Sequence, residues 1–174
     1  MKLAIIAAFV LTYPISLIAQ LVQGPKEFAG VPWSADKDAA KAALIAQAGV
    51  SFWKAVPDRN KLMFRGGTFA GSPATLWHLY FPGGKFARGL VDFESGGRQN
   101  YVKLKEQLIA KYGRPKTEKT THQDTETIWD IPAGAENPHH ISIHLQLLHG
   151  ETFKVWYNND SLWHSTGESD GAGL

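Results

Sequence analysis

Leu108-Ile109-Ala110-Lys111-Tyr112-Gly113 closes one amphipathic stretch of the chain, and Leu44-Ile45-Ala46-Gln47-Ala48-Gly49 closes an earlier one in nearly the same way. Upstream of the second ending, Tyr101, Leu104, Leu108 and Tyr112 recur at helical spacing, while Lys103, Lys105, Glu106 and Lys111 fall mostly elsewhere. That pattern predicts a helix from about residue 100 to 112, stopped by Gly113 and Pro115. Around the first ending, Ser34 is the expected N-cap, Asp36 and Asp38 favour the positive end of a helix, and Gly49 suits a left-handed stop. The helix predicted over 35–48 has a small buried side, Ala40, Ala43, Leu44 and Gln47, which lets it lie close against a sheet.

Each helix is followed by stretches that read as strands. After the first come residues 50–56, 61–69, 74–81 and 86–93, punctuated by Pro57-Asp58-Arg59-Asn60, Gly71-Ser72-Pro73 and Pro82-Gly83-Gly84-Lys85. After the second come residues 116–122, 125–131, 140–148 and 152–158, the last two joined by His149-Gly150-Glu151. In 74–81 the alternation sets Thr75, Trp77, Leu79 and Phe81 on one face and Leu76, His78 and Tyr80 on the other, so both faces are partly apolar. The expected fold is α+β: two helix-plus-antiparallel-strand repeats forming one sheet, with helices packed on one face and the other face partly open. The expected divisions are a leader at 1–19, a flexible lead-in at 20–33, repeats at 34–95 and 96–160, and a tail at 161–174 that is disordered beyond Trp163.

The totals exclude several classes. The chain has 174 residues, 44% of them hydrophobic and 20% charged, as expected of a globular protein. The net charge is +2, with acidic and basic residues interspersed, so no stripe points to nucleic acid or to an anionic membrane surface. There is no cysteine, which removes disulfides, thiolate nucleophiles, cysteine zinc sites and lipid attachment through a lipobox. At the N-terminus, Lys2 precedes an apolar run that reads as a secretory signal peptide cut after Ala19, with a retained anchor over 3–22 as the alternative. Either places the rest of the chain in the periplasm or outside the cell.

Catalytic signatures are lacking. No Gly-x-Ser-x-Gly stretch occurs, and Pro73 directly after Ser72 removes an N–H that an oxyanion hole would use. Gly66-Gly67 and Gly96-Gly97 lack the spacing of phosphate loops. Among Asp92, Glu94, Glu126 and Asp130 nothing singles out a carboxylate pair. His139, His140, His144 and His149 crowd one region, but on a strand His140 and His144 stand roughly 13 Å apart and cannot share a metal without a ligand from a neighbouring strand. No cofactor is expected.

The layout resembles the small exported α/β domains of the β-lactamase inhibitor protein and of the BamE/SmpA outer-membrane lipoproteins. The likeness rests on Val31-Pro32-Trp33-Ser34 opening the first helix, Lys111-Tyr112-Gly113-Arg114-Pro115 closing the second, Gly71-Ser72-Pro73-Ala74 before a strand, and Trp129 inside a late strand. The resemblance implies a binding or assembly role, because such scaffolds present a concave sheet to another protein.

Tryptophan is in surplus. Trp33, Trp53, Trp77, Trp129 and Trp163 are expected in the core or under helices, whereas the alternation of 152–158 sets Trp156 on a polar face with Thr152, Lys154 and Asn158. The expected function is therefore binding of another envelope or secreted protein, as an inhibitor, immunity or assembly factor, without catalysis. Trp156, His140, His144 and Gln146 are the candidate contacts. A module holding a small hydrophobic or sugar-like ligand with Trp and Tyr is the alternative, and a metal-dependent enzyme using residues 139–149 the third.

Overall fold

The structure, a computed structural model, describes residues 24–94, 96–135 and 137–165. The expected signal peptide or anchor and the last residues of the tail lie outside the described residues. No helix among the described residues is long and apolar enough to cross a membrane.

A short hairpin, β1 (Glu27–Phe28) and β2 (Val31–Pro32), leads into helix α1 (Lys37–Ala48). Then follow β3 (Ser51–Val56), β4 (Lys61–Arg65), the small pair β5 (Thr68–Phe69) and β6 (Ser72–Pro73), β7 (Leu76–Tyr80) and β8 (Arg88–Phe93). Helix α2 (Gly97–Tyr112) precedes β9 (Thr117–Thr120), β10 (Thr125–Ile131), β11 (Ile141–Leu148) and β12 (Thr152–Asn159), and α3 (Asp160–His164) ends the described chain. Eight of the strands form one antiparallel sheet in the order β3-β4-β7-β8-β12-β11-β10-β9.

The α+β class stands, but the two-repeat reading is corrected. β8 and β12 pair over six residue positions, from Phe153 opposite Phe93 to Asn158 opposite Arg88, so the strands of both halves share one ladder and one core. The halves also differ. α1 buries only Ala40 and Leu44, while α2 buries Tyr101, Leu104, Leu108 and Tyr112, and among the described residues the β5–β6 pair has no counterpart in the second half. Burial of a continuous apolar face, Phe64, Trp77, Leu79, Val91, Phe153, Val155, Ile143, Leu145 and Trp129 among others, is the main stabilising term and leaves no boundary at which the sheet could divide.

Several element ends differ from the expectation for physical reasons. α1 is capped by Asp36, whose Oδ1 accepts from Ala39 N at 2.9 Å, and not by Ser34, which sits at a positive φ of 67°. α2 begins at Gly97, three residues before Asn100, because Gly96 adopts the left-handed N-cap conformation. The strand expected over 61–69 stops at Arg65, where Gly66 and Gly67 both take positive φ. The lead-in is not loose from residue 24 onward: Ala29 and Gly30 turn with φ of 49° and 81°, the pattern of a tight hairpin turn, and set Phe28 and Val31 into the core. The first residues of the expected tail form α3, with Trp163 buried.

Three buried indoles each tie a loop to the core. Trp33 Nε1 donates to Pro25 O at 2.7 Å, Trp77 Nε1 to Gly66 O at 2.8 Å, and Trp129 Nε1 to Gly113 O at 2.9 Å. A buried indole N–H needs such an acceptor. Trp53, expected in the core, is instead exposed on β3.

Candidate functional site

Alternation in the strands sends one set of side chains to the helix-covered core and the other to the opposite face. Register arranges that second set in three rows running across the strands. The middle row is Met63, His78, Leu90, Trp156, His144 and Ile128. On one side lie Lys61, Tyr80, Arg88, Asn158, Ser142 and Asp130, and on the other Arg65, Leu76, Asp92, Lys154, Gln146 and Glu126. A mostly apolar row thus crosses the sheet between two more polar ones. α3 roofs one end: the Trp163 ring lies 3.6 Å from the Arg88 guanidinium carbon and meets Tyr80 edge-on.

Beside that roof is a pocket of about 290 Å³, whose lining includes Tyr80, Arg88, Leu90, His144, Trp156 and Asp160. Trp156 and His144, opposite each other on β12 and β11, stack at a centroid distance of 4.7 Å and an interplanar angle of 12°. Lys154 reaches over the indole, its Nζ 5.4 Å from the ring centroid. Burial pushes the His144 pKa down, and Glu126, whose Oε1 is 3.5 Å from Nδ1, opposes this only in part. That separation is long for a hydrogen bond. Nδ1 is buried without a hydrogen-bond partner among the described residues, and so is Gln146 Oε1.

A polar chain runs along the roofed end. Ser142 Oγ donates to Asp160 Oδ1 at 3.0 Å and accepts from Asn158 Nδ2 at 3.3 Å, while Arg88 Nε donates to Asn158 Oδ1. His140 bonds Asp130 through Nε2, and its Nδ1 lies 3.9 Å from Asp160 Oδ2. Lys116 also bonds Asp130, and this ammonium is the largest cause holding that carboxyl below its usual range, with His140 adding to it. Burial raises the pKa of Asp160. Ser142 is bonded to the Asp160 carboxyl and the Asn158 amide rather than to a histidine nitrogen, so the serine–histidine pairing of serine hydrolases is not formed at this residue. Among the described residues no three His, Asp or Glu side chains are arranged to hold a metal ion.

Of the sequence candidates, Trp156 and His144 meet in the pocket. Gln146 sits on the same face in the row beside them, and His140 stands one residue before β11, its ring near the Asp160 carboxyl that lines the pocket. The sequence reading missed Tyr80, Arg88 and Leu90, which need the register of β7 and β8 against β12, and Asp160 and His164, which belong to α3. A larger hollow of about 440 Å³ lies on the helix side, among Phe28, Gln47, Phe69, Tyr112 and Tyr157.

No protein-family model, no curated protein and no solved structure matched this chain.

Proposed function

We propose that the chain is an exported, non-enzymatic binding domain that receives another protein on the uncovered sheet face, with the Trp156 pocket taking one side chain of that partner. The observation that carries this reading is the Trp156–His144 stack at the centre of an apolar row, flanked by Arg88, Lys154, Glu126 and Asp160. An apolar centre with a polar rim is the usual build of a recognition surface, and a Trp backed by a second ring is a rigid anchor for it. Export rests on the apolar stretch near the N-terminus after Lys2.

The test is capture of partners from an envelope extract by the wild type and by a Trp156→Ala, His144→Ala double variant, with circular dichroism to show that both fold. The reading expects bands present with the wild type and lost with the variant. Equal capture by both forms rejects this face.

The concave, ring-lined pocket at Trp156 and His144 favours one second reading, a small-ligand module. Its volume is near the lower end of the roughly 300–1,000 Å³ common for small-molecule sites. A thermal-shift screen with small aromatic compounds and monosaccharides separates the two: a rise in Tm that Trp156→Ala abolishes supports the ligand module, and no rise supports the protein partner.

A further inference from the structure

The edge of the sheet at β3 carries charge and partly exposed aromatic surface, Phe52 resting edge-on against the core ring of Phe64. β3 is the first strand in the sheet order, so its outer backbone groups pair with no described strand. It is six residues long, contains no proline, and exposes Phe52 and Trp53, each 38% accessible. A bulge between Phe52 and Lys54 re-aims Trp53. The Arg65 guanidinium carbon lies 3.7 Å from the Trp53 ring centroid and Lys54 Nζ lies 4.3 Å from it, while on the helix side Lys41 Nζ lies 3.8 Å from the centroid of Phe52.

The sign of the charge is one-sided. β3 and β4 carry Lys54, Lys61 and Arg65 and no carboxylate; the turn between them adds Asp58 and Arg59, which cancel. Among the described residues, no ion pair takes Lys41, Lys54, Lys61 or Arg65. Burial pushes the Lys61 pKa down, and Arg59 and Lys54 add to this by repulsion. The opposite edge differs: β9 has four residues, Glu118 pairs with Lys105 at 2.6 Å, and Lys119 stands opposite Glu126.

From this we infer that β3 is a docking edge for an acidic, extended segment of a partner protein, which adds to the sheet as a further strand and sets carboxylates against Lys54 and Arg65 on one side and Lys41 on the other. Unpaired N–H and C=O groups supply the register, and the exposed rings supply apolar contact. A second copy of this chain is a poorer occupant. Edge lysines oppose self-pairing, because two β3 strands side by side would bring cations together without a carboxylate between them. The edge lies four strand spacings from β12, roughly 19 Å, so it is separate from the Trp156 pocket.

The test titrates the purified chain into a labelled peptide of repeating Glu-Glu-Val-Val, which carries carboxylates on both faces of an extended strand, followed by fluorescence anisotropy and by hydrogen exchange of the β3 amides. The inference expects saturable binding, slowed exchange in β3, affinity lowered roughly tenfold or more by Lys54→Glu with Arg65→Glu, and affinity unchanged by Trp156→Ala. The same peptide with every backbone nitrogen methylated keeps the charge but has no N–H to offer the ladder, and should not bind. Binding of that peptide or of oligo-deoxythymidine with equal affinity would show a charge patch rather than a strand-pairing edge. Self-association through β3 without peptide, or no binding at all, would also overturn the inference.

Discussion

His144 and Trp156 face each other across β11 and β12 with ring centroids 4.7 Å apart and planes 12° from parallel. The stack covers one face of each ring, and an aromatic pair of this kind is worth about 0.5–1.5 kcal/mol beyond its buried area. It also keeps the imidazole out of water, so burial, rather than the carboxylate of Glu126, decides the protonation state.

A pH dependence with a definite sign follows. His144 is lowered by burial, so the folded chain binds its proton less readily than the unfolded chain does. Its contribution to stability is complete above the ordinary histidine value of about 6.5 and is lost as pH falls from there through the depressed value. Glu126 from β10, Asp160 from the start of α3 and Arg88 from β8 face it, and His144→Gln leaves these in place. Urea midpoints at about pH 7.5 and 5.5 should fall more for the wild type than for His144→Gln, and the difference isolates His144 because Asp130 and Asp160 are common to both. Equal falls would show that the ring is not held neutral.

Gly89 in β8 lies beneath the Phe28 ring: a Cβ there would stand 2.2 Å from Phe28 Cδ1. Gly89→Ala should destabilise the fold by about 1–3 kcal/mol through overpacking. On a Phe28→Ala background, itself costly, the same change should add little. A double-mutant cycle from denaturant unfolding measures the coupling.

Trp129→Phe should cost about 1 kcal/mol beyond any packing change, because Gly113 O at the end of α2 loses its indole donor. Chemical denaturation measures the loss, and amide exchange in the last turn of α2 should quicken. An unchanged exchange rate would show that the bond does not hold that helix end.

Asp36→Ala should cost about 1 kcal/mol, since its side chain caps α1, whereas Ser34→Ala should be close to neutral. Thermal unfolding of the two variants checks this. A larger loss from Ser34→Ala would restore the cap suggested by the sequence.

The contrast between Asp36 and Ser34 shows what could be read in the sequence and what could not. The stripe from Tyr101 to Tyr112 and the alternation in β10, β11 and β12 are local periodicities, and they located α2 and the outward side of the late strands. They also set Trp156 and His144 on one face, because that needs only alternation along each strand. That they stack on each other, and the pocket around them, depend on register, which pairs Trp156 with His144 across one hairpin, Tyr80 with Arg88 across another, and Trp156 with Leu90 across strands distant in sequence. The twin Leu-Ile-Ala endings suggested two units, yet the β8–β12 ladder joins the halves, a long-range pairing that no local pattern announces. Trp53 was misplaced because the bulge and the edge position of β3, not the residue type, leave it in water. α3 was hidden in a Ser- and Gly-rich tail, where a five-residue helix depends on the Asn159 cap and on Trp163 packing.

Photo-crosslinking tests the central claim most directly. A photoreactive residue at position 90, in the middle row beside Trp156, is compared with one at position 109, exposed on the helix side, in envelope extract. Recognition through the uncovered face predicts partner adducts from position 90 that Trp156→Ala removes, and none from position 109. Adducts from position 109 alone would contradict it.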